Sequence, residues 1–295
     1  MIRPIINEAR PKQWAKNVLV FAAPGAAGVL THWTSLWRTL VVFVAFCLAA
    51  SGTYFWNDVV DVEADRRHPK KCRRPIASGA IPLFAAKVIG SSLLLAGVAV
   101  SAATLRWRAP MIVAIYVLLT LSYSFVFRHL AVFDLVAVAG GFVLRAIGGA
   151  FACGVFMSKW FLLCTMFGSL FVVAGKRYAE LRELGSDAEA TRQTMETYTL
   201  PFLRLVVTLA CAATVVTYCV WAFDTGQVDP GPFPFYELSV VPMLLALLRY
   251  ALVLETGRGG APEDVFLQDR ALQLVGLAWV VIFALGVYLG RGVRV

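Results

Sequence analysis

Between two long apolar runs, residues Asn57 to Gly79 (NDVVDVEADRRHPKKCRRPIASG) carry four acids and six bases. Asn57, Asp61 and Asp65 are four apart, and Asp58 lies three before Asp61. If the preceding run is a helix that continues through Asn57, these oxygens share one face at its end. Acids at a helix C-terminus oppose its dipole and need a compensating cation. Carboxylates beside Lys70, Lys71, Arg73 and Arg74 suit magnesium holding a phosphorylated substrate. That ion takes one or two carboxylates and keeps its other positions for water and phosphate oxygens. Asp58, Asp61 and Asp65 are thus candidate metal ligands, with Asn57, Lys70 and Arg74 as candidate substrate contacts. Arg74 stands out because Pro75 fixes the chain beside it and arginine meets phosphate bidentately. The plainer alternative is a solvated helix end whose basic residues mark the inner membrane face.

Other polar residues sit where apolar runs begin, end or are interrupted. Lys176-Arg177-Tyr178-Ala179-Glu180-Leu181-Arg182 follows the sixth run. Lys176, Arg177, Tyr178 and Glu180 read as substrate contacts, against the alternative of ordinary ion pairs at helical spacing. In the segment Pro262 to Arg270, Asp264 and Asp269 are either site residues or helix caps, and the sequence leaves both readings open. Lys16 and Asn17, in RPKQWAKN, enter the first run, where a polar pair faces a cavity; interfacial anchoring is the alternative. Arg145 lies mid-run in GGFVLRAIGGA, where an ionised group is costly and faces the interior, and its flanking glycines permit close helix packing. Tyr123 and Ser124 end the fourth run as hydrogen-bond donors for a phosphate. Asp134 opens the fifth as a candidate N-cap.

What must position these residues is a membrane bundle. The 295 residues are 59% hydrophobic and 15% charged, where a soluble domain would be about 25% charged, and the mean hydropathy is +0.73. Apolar runs long enough to span a bilayer, at about 20 residues each, fall at Gln13–Trp33, Leu36–Trp56, Ala80–Thr104, Ala109–Phe127, Phe133–Gly154, Trp160–Gly175, Leu200–Phe223, Glu237–Leu254 and Ala271–Leu289. The expectation is an all-α polytopic protein of nine spans forming one domain over residues 1–295. With the N-terminus inside, only Arg38, Arg106, Arg108, Lys159, Arg291 and Arg294 of the 27 Lys and Arg flank the outer face, so the C-terminus is expected outside. Trp33, Trp37, Trp107, Trp160 and Trp221 cluster at the same outer boundary, as an aromatic belt would. The +9 net charge therefore reads as topology, not nucleic-acid binding. No small-residue cleavage site precedes the first run, which argues against a cleavable signal. No Cys or His spacing fits a zinc site.

On these residues the chain resembles the UbiA superfamily of intramembrane prenyltransferases. Asn57, Asp58, Asp61 and Asp65 match its NDxxDxxxD motif, and HPxKxxRPIASG continues the match through His68, Lys71, Arg74, Pro75 and Gly79. The resemblance implies a helical bundle with a cytoplasm-facing polar pocket in a bacterial plasma membrane, a magnesium cofactor and a lateral opening for a lipid tail. Prenyltransferases of the superfamily carry a second acidic motif after the sixth span, where this chain has KRYAEL. With RPKQWAKN, FVLRAIGGA and PEDVFLQDR, that exchange resembles a branch in which the isoprenoid is the acceptor. It implies transfer of 5-phosphoribose from phosphoribosyl pyrophosphate to a polyprenyl (decaprenyl) phosphate for cell-wall arabinan synthesis. The alternative is aromatic prenyl transfer from a polyprenyl diphosphate. Isoprenoid length and oligomeric state, a homo-oligomer included, stay open.

Overall fold

A computed structural model describes residues 2–184, 197–228, 233–256, 265 and 268–289, and all regular structure among them is helical. The α-helices, in chain order, are α1 (Ile2–Ala9), α2 (Ala22–Ala26), α3 (Trp33–Val60), α4 (Val62–Arg67), α5 (Leu83–Ser101), α6 (Arg108–Phe125), α7 (Phe133–Cys153), α8 (Lys159–Leu184), α9 (Leu200–Val228), α10 (Phe235–Leu238), α11 (Val240–Glu255) and α12 (Arg270–Leu289). Eight helical segments among the described residues are long and apolar enough to cross a membrane. They match the second to ninth expected runs. Side chains such as Leu95, Leu118 and Leu274 stay exposed on them, as lipid-facing positions would.

The expected first span takes a different form, so the count of nine is not met by these eight. Residues Pro11–Phe21 form a 3-10 helix, followed by the short α2 and a turn at Gly28, whose φ is +66°. The 3-10 repeat of three residues per turn puts Trp14, Asn17 and Val20 on one face. Trp14 donates to Ser51 at 3.1 Å, Asn17 donates to Cys47 at 3.2 Å, and Val20 is fully buried.

The chain divides into two compact units. Unit 1 comprises residues Met1–Gly25, Val29–Arg128 and Leu144–Phe156. Its core joins Val20, Val42, Phe46, Val113 and Tyr116, with a second cluster of Phe55, Val62, Ile76, Ile81 and Ala86. Helices α3 and α5 approach through small residues. A Cβ added at Gly97 would lie 2.8 Å from the Ala45 carbonyl, and one at Gly52 would lie 2.7 Å from that of Gly90. Close backbone approach of this kind is how helices pack without a hydrophobic driving force. Gly149 does the same for α7, since a side chain there would collide with the Val20 carbonyl.

Unit 2 comprises residues Ala26–Gly28, His129–Val143 and Met157–Val295. One of its cores gathers Leu135, Phe171, Tyr178, Leu203, Tyr250, Leu254 and Leu272, and a second, aromatic one gathers Tyr218, Trp221 and Tyr236. Helix starts follow capping chemistry. Ser158 Oγ accepts from the Phe161 amide at 3.1 Å, and Asp269 Oδ1 accepts from the Leu272 amide at 2.8 Å. Asp269 is thus the cap that the sequence left as one option, and it also pairs with Arg249 at 2.8 Å. Asp264 lies outside the described residues.

Candidate functional site

In unit 1 the acidic motif rides on the last turns of α3, which runs unbroken to Val60, and on α4, which restarts after Asp61. Asp58 and Asp65 are almost fully buried, while the Asp61 side chain is 34% exposed. Each carboxylate is held by a guanidinium. Arg10 lies 2.5 Å from Asp58 Oδ2; one nitrogen of Arg74 lies 3.1 Å from Asp58 Oδ1 and 2.7 Å from Asp65 Oδ2; Arg128 closes on Asp61. The acids at this helix end thereby receive the compensating charge that their position demands.

The loop that carries Arg74 is itself anchored. Ile76 and Ile81 enter the core, the Ile81 amide donates to the Pro75 carbonyl at 3.0 Å, and Gly79 turns the chain with φ at +78°. His68 Nδ1 accepts from the amides of Lys70 and Lys71 at 3.1 and 3.3 Å. Lys70 is exposed and, among the described residues, joins none of these ion pairs.

Around this core the structure brings together several other expected residues. Ser124, on α6, donates to the Asn57 side chain on α3. Arg145, on α7, donates to Asn17 Oδ1 at 2.6 Å and to the Tyr116 hydroxyl at 2.9 Å, and stacks over the Tyr116 ring at 4.7 Å. This mid-membrane guanidinium is 7% exposed, so it is caged by hydrogen bonds and rings, as its depth requires. Lys16 and Tyr123 are partly buried.

The donor chemistry of the motif fits magnesium: carboxylates and the Asn57 amide are hard oxygen ligands. Glu8, at the end of α1, adds a fourth carboxyl, 1% exposed, with no hydrogen-bond partner on either oxygen. Burial first, and then the neighbouring Asp58 carboxyl, push its pKa up to about 8. Its neighbouring cation, Arg10, stands 4.0 Å from Oε1 and pairs more closely with Asp58, so a cation at the motif would satisfy a buried carboxyl that lacks a hydrogen bond. Asp58, Asp61 and Asp65 each converge on a guanidinium while Glu8 lies beside Asp58, and among the described residues no group of three or more His, Cys, Asp or Glu gathers as a metal centre.

In unit 2 the second cluster lies at the end of α8. Glu180 takes both neighbouring cations, Arg177 at 2.9 Å and Lys176 at 3.7 Å. Arg177 is 6% exposed and its Nε lies 3.5 Å from Asp134. Asp134 lies inside the first turn of α7 and not at the expected cap position: it is 1% exposed and accepts a hydrogen bond from the Tyr198 hydroxyl. Tyr178 is buried, donates to Glu255 at 3.0 Å and accepts from Arg204 at 2.9 Å, in a network that includes Arg182. Local sequence pattern does not disclose the parts taken by Glu8, Arg10, Arg128, Asp134 and Tyr198. Arg128, in the 3-10 turn Phe127–His129 after α6, shows in the sequence as an isolated arginine but not as the partner of Asp61.

Comparison with known proteins gives these arrangements a setting. Residues 18–277 match the UbiA prenyltransferase family. A decaprenyl-phosphate phosphoribosyltransferase of Corynebacterium glutamicum is 42% identical over 97% of this chain and 87% of that protein. Another, of Mycobacterium tuberculosis, is 41% identical over 98% of this chain and 96% of its own. Among solved structures, a UbiA homolog from Archaeoglobus fulgidus bound to GPP and Mg2+ superposes with a TM-score of 0.72 at 17% identity, covering 97% of this chain and 99% of that one.

Proposed function

The chain belongs to the UbiA prenyltransferase family, and from that premise we propose that it is a decaprenyl-phosphate phosphoribosyltransferase. It is a multi-pass membrane transferase that moves 5-phosphoribose from phosphoribosyl pyrophosphate to decaprenyl phosphate and releases pyrophosphate. The product serves cell-wall arabinan synthesis. The observation that carries the donor assignment is the engagement of Glu180. Where prenyltransferases of the superfamily have a second acidic motif, the acid here is shared by Lys176 and Arg177. A prenyl diphosphate brings one diphosphate beside an apolar cation, whereas this donor adds a 5-phosphate and the acceptor adds another. Basic residues in place of acids reduce the repulsion from that additional charge.

Asp58, Asp61 and Asp65 would hold magnesium, which when bound neutralises charge developing on the leaving pyrophosphate. Asn57, fixed by Ser124, and Arg74, fixed by two carboxylates, orient the donor, with Lys70 and Tyr123 completing its phosphate contacts. Lys176, Arg177, Tyr178 and Glu180 contribute the contacts of the second cluster. Lys16, Asn17 and Arg145 are assigned as further substrate contacts, the last two acting as a hydrogen-bonded pair. As the glycosidic bond breaks, positive character develops on the ribose, as in glycosyl transfer generally. The acceptor phosphate is anionic near neutral pH, its second pKa being about 6, so no general base is required. The distribution of Lys and Arg supports an N-terminus and active site on the cytoplasmic face and a C-terminus outside.

The test is direct. Purified protein with magnesium, decaprenyl phosphate and labelled phosphoribosyl pyrophosphate should move label into the lipid phase. No such label, with transfer from a prenyl diphosphate to 4-hydroxybenzoate instead, would establish the alternative of aromatic prenyl transfer.

A further inference from the structure

We propose that Glu180 recognises the ribose hydroxyls of the donor, and that Asp134 and Tyr198 are positioning residues that hold it in place through Arg177. This inference rests on the donor assigned above.

The argument begins from what a carboxylate can meet. The donor presents phosphate oxygens, which a carboxylate repels, and ribose hydroxyls, which donate hydrogen bonds. Lys176 and Arg177 suit the first; Glu180 suits the second, since Tyr178, the cluster's other acceptor, is buried and engaged by Glu255 and Arg204. An acidic side chain gripping a ribose hydroxyl is a recurrent solution in nucleotide recognition. The Glu180 side chain is 29% exposed, so it reaches the surface of unit 2, whereas the Arg177 side chain that holds it is 7% exposed.

A chain of buried contacts then fixes the angle of that carboxylate. Arg177 donates to Glu180 Oε2 at 2.9 Å, while its Nε edge faces Asp134 at 3.5 Å. A planar guanidinium hydrogen-bonded to one carboxylate and ion-paired with another on a second edge, without a hydrogen bond there, is restricted in how it turns. Asp134, the anchor, is itself held by the Tyr198 hydroxyl, which also accepts from the Val132 amide at 2.6 Å. Val132 has φ at +71°, a conformation that a β-branched residue rarely adopts. Burial, and then the hydrogen bond to Asp134, raise the Tyr198 pKa above the ordinary phenol value, so its hydroxyl remains a donor. The ring stacks on Phe202 with centroids 5.8 Å apart. Thus Tyr198 ties the start of α9 to the start of α7 and, through Asp134, to Arg177 and Glu180 on α8. Preorganisation of a polar contact spares the cost of ordering it on binding.

The experiment compares three donors, phosphoribosyl pyrophosphate and its 2-deoxy and 3-deoxy forms, on wild type, Glu180→Gln and Tyr198→Phe. Glu180→Gln should lower kcat/KM for the ribosyl donor by about 10- to 100-fold, the worth of a hydrogen bond to a charged group. At least one deoxy donor should stay within about threefold of wild type, because the contact it lacks is the one removed. Tyr198→Phe should reproduce the same donor dependence at smaller size, mainly in KM. An equal loss on all three donors would overturn the inference and leave the assigned function standing. Absence of transfer by the wild-type chain would instead overturn the function itself, and the inference with it.

Discussion

Arg74 lies 2.7 Å from Asp65, nine residues before it in the chain, and the same nitrogen reaches Asp58 at 3.1 Å. One guanidinium thus spans two acids of the motif, and the loop that carries it is stapled to the core by Ile76 and Ile81. Removing it would leave Asp65, almost fully buried, without its salt-bridge partner. Breaking a buried pair costs about 3–5 kcal/mol, and less for an arginine about 30% exposed. Arg74→Met should therefore destabilise the chain by about 1–3 kcal/mol, read as a lower midpoint in thermal unfolding. An unchanged midpoint would show that Asp65 does not depend on Arg74.

Asp58→Asn and Asp61→Asn should each reduce phosphoribosyl transfer by about 100-fold or more, since each removes charge needed to hold a divalent cation. Size-exclusion profiles should stay monodisperse for both. Full activity in both variants would remove the metal assignment.

Glu8 makes stability depend on pH. Its carboxyl is raised from an ordinary 4.5 to about 8, so the folded chain binds this proton more tightly than the unfolded chain does. The resulting stabilisation is complete below about pH 4.5 and is lost as pH rises through about 8. With chelator present, the wild-type midpoint should fall between pH 5 and pH 9 more steeply than that of Glu8→Gln. Parallel curves for the two would place the titration elsewhere.

Gly97→Val should prevent the close approach of α3 and α5. Even a Cβ at Gly97 would stand 2.8 Å from the Ala45 carbonyl, and backbone cannot yield as a flexible side chain does. Expected results are aggregation on size exclusion and a yield of folded protein several-fold below wild type. Gly276→Val, at a position with nothing within 4 Å, is the control that should behave as wild type.

What the sequence disclosed was what repeats locally. The spacing of Asn57 and Asp58 places both on the last turns of α3, although the helix breaks at Asp61 and Asp65 rides on α4, and the positions of eight helical spans follow from apolar length alone. Residues that act through distant partners left little trace. Arg10 lies 48 residues from Asp58 and Arg128 lies 67 from Asp61, and nothing in a local pattern encodes those pairings. Asp134 misled because an acid in the first helical turn satisfies capping statistics, whereas its burial beside Arg177 and Tyr198 is a tertiary fact. The first expected span was judged by hydropathy, which does not distinguish 3-10 from α geometry.

That 3-10 segment has a metrical consequence. Three residues of 3-10 helix rise about 6 Å, and four residues of α-helix also rise about 6 Å. Trp14 and Asn17, three apart, accordingly meet Ser51 and Cys47, four apart on antiparallel α3. The two helices are commensurate, like the teeth of gears cut to one pitch. Rewinding residues 11–21 as α-helix would throw Asn17 out of step and strip the Arg145 guanidinium of one hydrogen-bond acceptor.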